Sequence, residues 1–194
     1  MQPRLSVSDL ACRRGDRVLF RRLSFDLGPG GALHVAGPNG VGKSSLIRLL
    51  AGLSRPFKGA VALSGSVGLI DERLAMDEHL PLVAAMRFWE RLDACTDQGM
   101  PLTAMGLQDL AEVPVRFLST GQRRRLAFAR LLDAPRDVWL LDEPLNGLDD
   151  AARAKVEALV AMHCGGGGIC VVASHQPMAL PAAAGRIELT DFTA

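Results

Sequence analysis

The chain has 194 residues, 48% hydrophobic and 22% charged, an ordinary composition that supplies one full core and a subdomain. A formal net charge of +1 offers no broad basic field for nucleic acid. The opening stretch MQPRLSVSDLACRRGDRV lacks the apolar centre of a signal peptide, and no apolar run reaches the roughly 18 residues of a membrane helix. The expectation is a chain that does not itself insert into a membrane.

In chain order, residues 4–36 predict strands at RLSVSDL, RVLF, LSFDL and ALHVAG. Antiparallel strands running into a buried one suggest a β-rich subdomain on an α/β core. ALHVAG is followed by PNGVGKSSLIRLLAGL, which predicts a glycine-rich loop and then a helix with Leu46, Ile47, Leu50 and Leu53 on one face. Such a loop binds phosphate. Its glycines let backbone N–H groups curl around an anion, and the positive end of the helix dipole faces the same point. Gly37, Gly42, Lys43 and Ser44 match the spacing G-x-x-x-x-G-K-[ST], within the run Gly37, Pro38, Asn39, Gly40, Val41, Gly42, Lys43, Ser44 and Ser45. Lys43 would reach the β- and γ-phosphates, and Ser44 would join the shell of a Mg²⁺ ion.

GAVALSG and SVGLI predict two further strands, after which residues 75–112 become helical at LPLVAAMRFWERLDA and TAMGLQDLAEV. Alternation then returns: RRRLAFARLLDA as helix, DVWLLD as buried strand, DDAARAKVEALVAMH as helix, ICVVASH as buried strand and GRIELTD as a last edge strand. The segment DVWLLDEPLNGLD ends a strand in two carboxylates. Asp142 is placed to hold Mg²⁺, and Glu143 to orient or deprotonate a water. In FLSTGQRRRLAFARLL, Ser119, Thr120 and Gly121 feed a helix whose face carries Leu126, Ala129 and Leu132. This is a second anion site that one nucleotide on the same chain cannot need. The triple arginine reads as a solvated face. Cys12, Cys95, Cys164 and Cys170 form no C-x-x-C pair and read as reduced thiols packed as small apolar groups. Their spacing with His163 and His175 fits no zinc pattern.

These motifs, in this order, resemble the ATP-binding subunits of ABC transporters across residues 4–190. GPNGVGKSSL resembles the Walker A motif, LSTGQ the signature, WLLDEP the Walker B with its catalytic glutamate, NGLD the D-loop, and VVASH the switch-histidine loop. The resemblance implies an α/β P-loop NTPase core of ABC ATPase type over residues 1–194. It carries an N-terminal antiparallel β subdomain and a short helical subdomain at about 75–132. It implies a homodimer that sandwiches two ATP molecules with Mg²⁺, each between one chain's Walker motifs and the other's Ser119, Thr120, Gly121, Gln122 and Asp149. His175 would touch the γ-phosphate and hold the water with Glu143, while Lys43 stabilises the transferred phosphoryl group.

Within the family, CRRGDRVLFRRLSF, LAGLSRPFKG and SHQP resemble the group of haem-export subunits of cytochrome c biogenesis. That implies CcmB-like and CcmC-like membrane partners and a peripheral place on the cytoplasmic face of a bacterial inner membrane. Two features depart from the family. No tyrosine is present to stack on adenine, so Arg14 stands in that place, where a guanidinium can stack on a base. LIDERLAM replaces the Q-loop glutamine, with Glu72 or Arg73 nearest. An ATPase of another exporter and a slow-turnover regulatory module are the alternative readings. A DNA-repair ATPase is disfavoured, because no long heptad segment separates Walker A from the signature.

Overall fold

The computed structural model describes residues 2–93 and 100–193. The chain divides into two compact units: Met1–Asp71 with Arg136–Pro144 and Glu157–Ala194, and Glu72–Pro135 with Leu145–Val156.

The first unit opens with β1 (Arg4–Arg14), β2 (Arg17–Leu27), β3 (Ala32–Ala36), helix α1 (Lys43–Leu50), β4 (Lys58–Ser64) and β5 (Val67–Ile70). Strands β2, β1 and β4 form an antiparallel sheet in that order. RVLF and LSFDL are one strand, interrupted by a register shift and by Arg22 at φ +61°. The remaining strands form a parallel sheet ordered β5-β6-β7-β3-β8, with β6 at Val138–Asp142, β7 at Ile169–Ala173 and β8 at Gly185–Glu188. All five residues of β3, β6 and β7 are buried, as expected of central parallel strands covered on both faces. Leu46, Ile47 and Leu50 of α1 share one core with Leu33, Val35, Leu140, Val171, and with Leu5, Leu10, Phe20 and Leu23 of the antiparallel sheet. Each such side chain contributes about 1.5–3 kcal/mol by leaving water. The His163 ring lies flat on Trp139 of β6 at 4.1 Å and its Nε2 hydrogen-bonds the carbonyl of Ile169. Cys12, Cys164 and Cys170 are buried free thiols whose burial raises their pKa, whereas Cys95 lies outside the described residues.

The second unit holds α2 (Leu82–Leu92), α3 (Met100–Ala104), 3-10 turns at Gln108–Leu110 and Val115–Phe117, and α4 (Thr120–Asp133). Helix α5 spans Asp150–Gly165. Arg130 lies over the Trp89 ring at 4.5 Å and pairs with Asp93 at 2.6 Å.

Five expectations need correction, four of them in the elements and one in the arginine run. Helix α1 stops at Leu50, because Gly52 turns to φ +71°, and Leu53 is 56% exposed rather than on the packed face. The helix expected at TAMGLQDLAEV is instead the end of α3 and a 3-10 turn, split by Gly106 at φ +64°. The last strand ends at Glu188, and Leu189–Phe192 is a 3-10 turn. Leu132 is only half-buried, while Phe128 and Leu131 are buried with Leu126 and Ala129.

The arginine run is no solvated face. Arg123 donates to the carbonyls of Leu118 (3.2 Å) and Arg116 (2.9 Å) and to Glu78 (3.1 Å). Arg125 donates to the carbonyls of Met105 and Gly106, both at 3.3 Å. Four carbonyls left over from short helices and turns need donors, and the guanidinium groups of Arg123 and Arg125 supply them.

Candidate nucleotide site

The order β6-β7-β3 sets the C-terminal ends of three parallel strands side by side, the usual place for a ligand in an open α/β sheet. The loop after β3 runs from Gly37 to Gly42. Pro38, Asn39 and Gly40 are exposed, and Val41, Gly42 and Lys43 are buried. Gly42 is the N-cap of α1 and offers no side chain to its first N–H groups, so that turn is open to an anion. Ser44 stands exposed in the first turn of α1, and Ser45 hydrogen-bonds Cys12.

Lys43 is 5% exposed, and its ammonium is held by three oxygens. It donates to the carbonyls of Gly37 at 2.9 Å and Pro38 at 3.2 Å, and pairs with the Glu143 carboxylate at 3.3 Å. Asp142 is buried at the last position of β6. Glu143 follows at φ +47°, a left-handed conformation rarely adopted by such a residue, and its N–H donates to Ala173 of β7 at 2.8 Å. The bend aims its carboxylate at the end of β7. There Oε2 accepts from His175 Nδ1 at 2.9 Å and from the Ser174 hydroxyl at 3.2 Å, and Oε1 accepts from the His175 N–H at 3.2 Å. Burial pushes the Glu143 pKa up, but the hydrogen bonds and charges of His175 and Lys43 outweigh it and leave it below the ordinary value. Lys43, Glu143 and His175 are therefore one hydrogen-bonded cluster.

In the second unit, Ser119 caps α4. Its hydroxyl accepts from the Gln122 N–H at 3.2 Å, and Gln122 Oε1 accepts from the Ser119 N–H at 2.8 Å, a reciprocal capping box. Thr120 and Gly121 form the first turn of α4. Gly121 has a packing reason: a Cβ there would lie 2.4 Å from the carbonyl oxygen of Gly147, so the signature-like segment and NGLD touch backbone to backbone. Asp149 caps α5 by accepting from the Ala152 N–H at 2.8 Å.

Residues 20–146 match the family profile described as ABC transporter. The cytochrome c biogenesis ATP-binding export protein CcmA of Novosphingobium aromaticivorans is 56% identical over 91% of each chain. Its counterpart of the same name in Sphingopyxis alaskensis is 50% identical over 91% of this chain and 92% of its own. The chain belongs to the ABC transporter ATP-binding family. Among solved structures, an ABC transporter assigned to the metal-chelate type, in an inward-facing conformation, is similar with a TM-score of 0.75 at 29% identity, covering 91% of this chain and 75% of that one. An ABC transporter ATP-binding protein from Pyrococcus furiosus gives 0.83 over 98% and 100% of the two chains at 19% identity, a likeness of fold alone.

In this ABC-type ATPase, Lys43, Glu143 and His175 come together in one unit. Arg14 lies exposed at the end of β1 with Arg17 opposite it in the hairpin. Glu72 and Arg73 are exposed just beyond β5. Sequence reasoning passed over Ser174, the fully buried neighbour of His175, and His34, which lies beneath it on β3. A serine directly before the histidine at a strand end is the only signal the sequence carried for it.

Proposed function

We propose that two copies of this chain sandwich two ATP molecules and drive a membrane permease of the haem-export and cytochrome c maturation type. The observation that carries the catalytic part is the Glu143 carboxylate held between Lys43 and His175. On this reading Lys43 exchanges the loop carbonyls for the β- and γ-phosphates, His175 turns to the γ-phosphate, and Glu143 is released to orient and deprotonate the attacking water. The phosphates lie in the loop Gly37–Ser45, and Arg14 stacks on the adenine. Ser119, Thr120, Gly121, Gln122 and Asp149 close the site from the second chain.

A hydroxyl at the exposed start of α1, Ser44, and a carboxylate at the strand end, Asp142, form a hard-oxygen donor set suited to Mg²⁺. When bound, the ion would neutralise charge developing on the phosphate oxygens. The names of the relatives support the export role. Among the described residues no helix is long and apolar enough to cross a membrane, which suits a subunit seated on CcmB-like and CcmC-like partners at the cytoplasmic face of the inner membrane.

Glu143→Gln tests the reading. The amide keeps the shape of the carboxylate but cannot take the proton, so the variant binds ATP, stops turning over and accumulates an ATP-bound dimer. A variant that hydrolyses ATP at the parent rate refutes the role of Glu143. The absence of a Q-loop glutamine keeps a slow-turnover regulatory module as the second reading. Turnover measured with the co-purified permease separates the two.

A further inference from the structure

Glu143 has four donors around it, and on the reading above two of them leave. Lys43 and His175 both turn to the nucleotide. The two that stay are the His175 N–H, which belongs to the backbone, and the hydroxyl of Ser174, a residue 1% exposed. Its backbone is fastened to β3 on both sides: the N–H donates to the Val35 carbonyl at 3.1 Å, and the carbonyl accepts from the buried His34 imidazole. Its hydroxyl is committed as well. The Gln176 N–H donates to Ser174 Oγ at 3.0 Å and can only donate, and the Glu143 carboxylate can only accept. The single hydroxyl proton of Ser174 therefore points at Glu143 Oε2.

We propose that Ser174 is the positioning residue that holds the Glu143 carboxylate toward the attacking water once Lys43 and His175 have turned to ATP. The inference rests on the proposed role of Glu143. What Ser174 supplies is direction. Glu143 sits at a left-handed bend with a flexible side chain, and the Ser174 hydroxyl on Oε2 together with the His175 N–H on Oε1 fixes the carboxylate in one orientation. Loss of the hydroxyl leaves the His175 N–H alone on the carboxylate and loosens its orientation without removing any group that touches ATP. A misplacement of about 1 Å at a reacting group costs on the order of a hundredfold in rate.

The test measures kcat and KM for ATP on the full chain co-purified with its permease, for Ser174→Ala, Ser174→Thr and Glu143→Gln. Ser174→Ala is expected to lower kcat roughly tenfold to a hundredfold, with KM within about threefold of the parent and an unchanged melting temperature. Ser174→Thr, which keeps the hydroxyl, restores kcat to within about threefold. If the added methyl lowers the melting temperature, Ser174→Cys replaces it, and its weak S–H donor gives a kcat between those of Ala and Ser. Adding Ser174→Ala to Glu143→Gln lowers the residual rate no further. Turnover by Glu143→Gln at the parent rate would overturn the reading of Glu143 itself. An inactive Glu143→Gln beside a Ser174→Ala with parental kcat would overturn only the role of Ser174. So would a rise in KM at constant kcat, or a Thr or Cys variant no better than Ala.

Discussion

Gly121→Ala isolates the backbone contact between the signature-like segment and NGLD. Gly121 sits in the first turn of α4, so an alanine there meets no backbone strain, and helix propensity favours it by up to about 1 kcal/mol. Against this, the new Cβ would stand 2.4 Å from Gly147 O, where 3.0 Å is the closest that real Cβ atoms reach. The two backbones must part by about 0.6 Å. The neighbour is a carbonyl and not the end of a flexible side chain, so it cannot swing aside. Overpacking of this kind costs roughly 1–3 kcal/mol. At the middle of both ranges the steric effect wins, and the net loss is about 1–2 kcal/mol. For a chain of this length that lowers Tm by roughly 2–8 °C. Gly28→Ala is the control, because nothing lies within 4 Å of its Cβ position. Thermal unfolding followed by circular dichroism should show a drop for Gly121→Ala and almost none for Gly28→Ala. Equal melting temperatures for the two variants would refute the claim that this contact is tight.

Lys43→Ala should abolish ATP hydrolysis while the fold survives. Removing a buried cation that is held by two carbonyls and a carboxylate leaves oxygens that can reach water through the exposed loop, and turnover within twofold of the parent would sink the phosphate-loop assignment. Mixing Ser119→Arg with Glu143→Gln, each inactive as a homodimer, should recover part of the ATPase activity, because a two-fold pair with shared sites regains one intact site. An inactive mixture in which heterodimers form and each occludes a single ATP would mean that the sites fire only together. Asp137 accepts from the Ser66 N–H at 2.7 Å and its hydroxyl at 2.8 Å, which holds its carboxyl below the usual range. A depressed carboxyl contributes stability above its unfolded pKa and loses it as pH falls through the folded value. Asp137→Asn should therefore flatten the fall of Tm below about pH 4, and an unchanged acid slope would exclude that source.

Local chemistry was legible in the sequence where spacing alone carries it. The glycine spacing before Lys43, the apolar run ending in Asp142 and Glu143, and the small residues before α4 each declare a strand end or a helix start within a few residues. Contacts between distant segments were not legible. The three arginines after Gln122 look like any solvated run until the short helices around Met105 and Leu118 expose carbonyls that need donors. Leu53 has the right period for the core but lies beyond the turn at Gly52. Ser174 and His34 are 140 residues apart and meet only because β7 and β3 are neighbours in a sheet whose order does not follow the chain.

The stacked Trp139 has an optical consequence. The chain contains two tryptophans and no tyrosine, so its ultraviolet emission has two sources. Trp139 lies in the first unit against the imidazole of His163, and Trp89 lies in the second beneath the guanidinium of Arg130. Each unit thus carries its own chromophore in its own surroundings. Replacing either indole by phenylalanine leaves a single-colour reporter, and with it the order in which the two halves of the molecule melt, or respond to nucleotide, can be recorded without attaching a label.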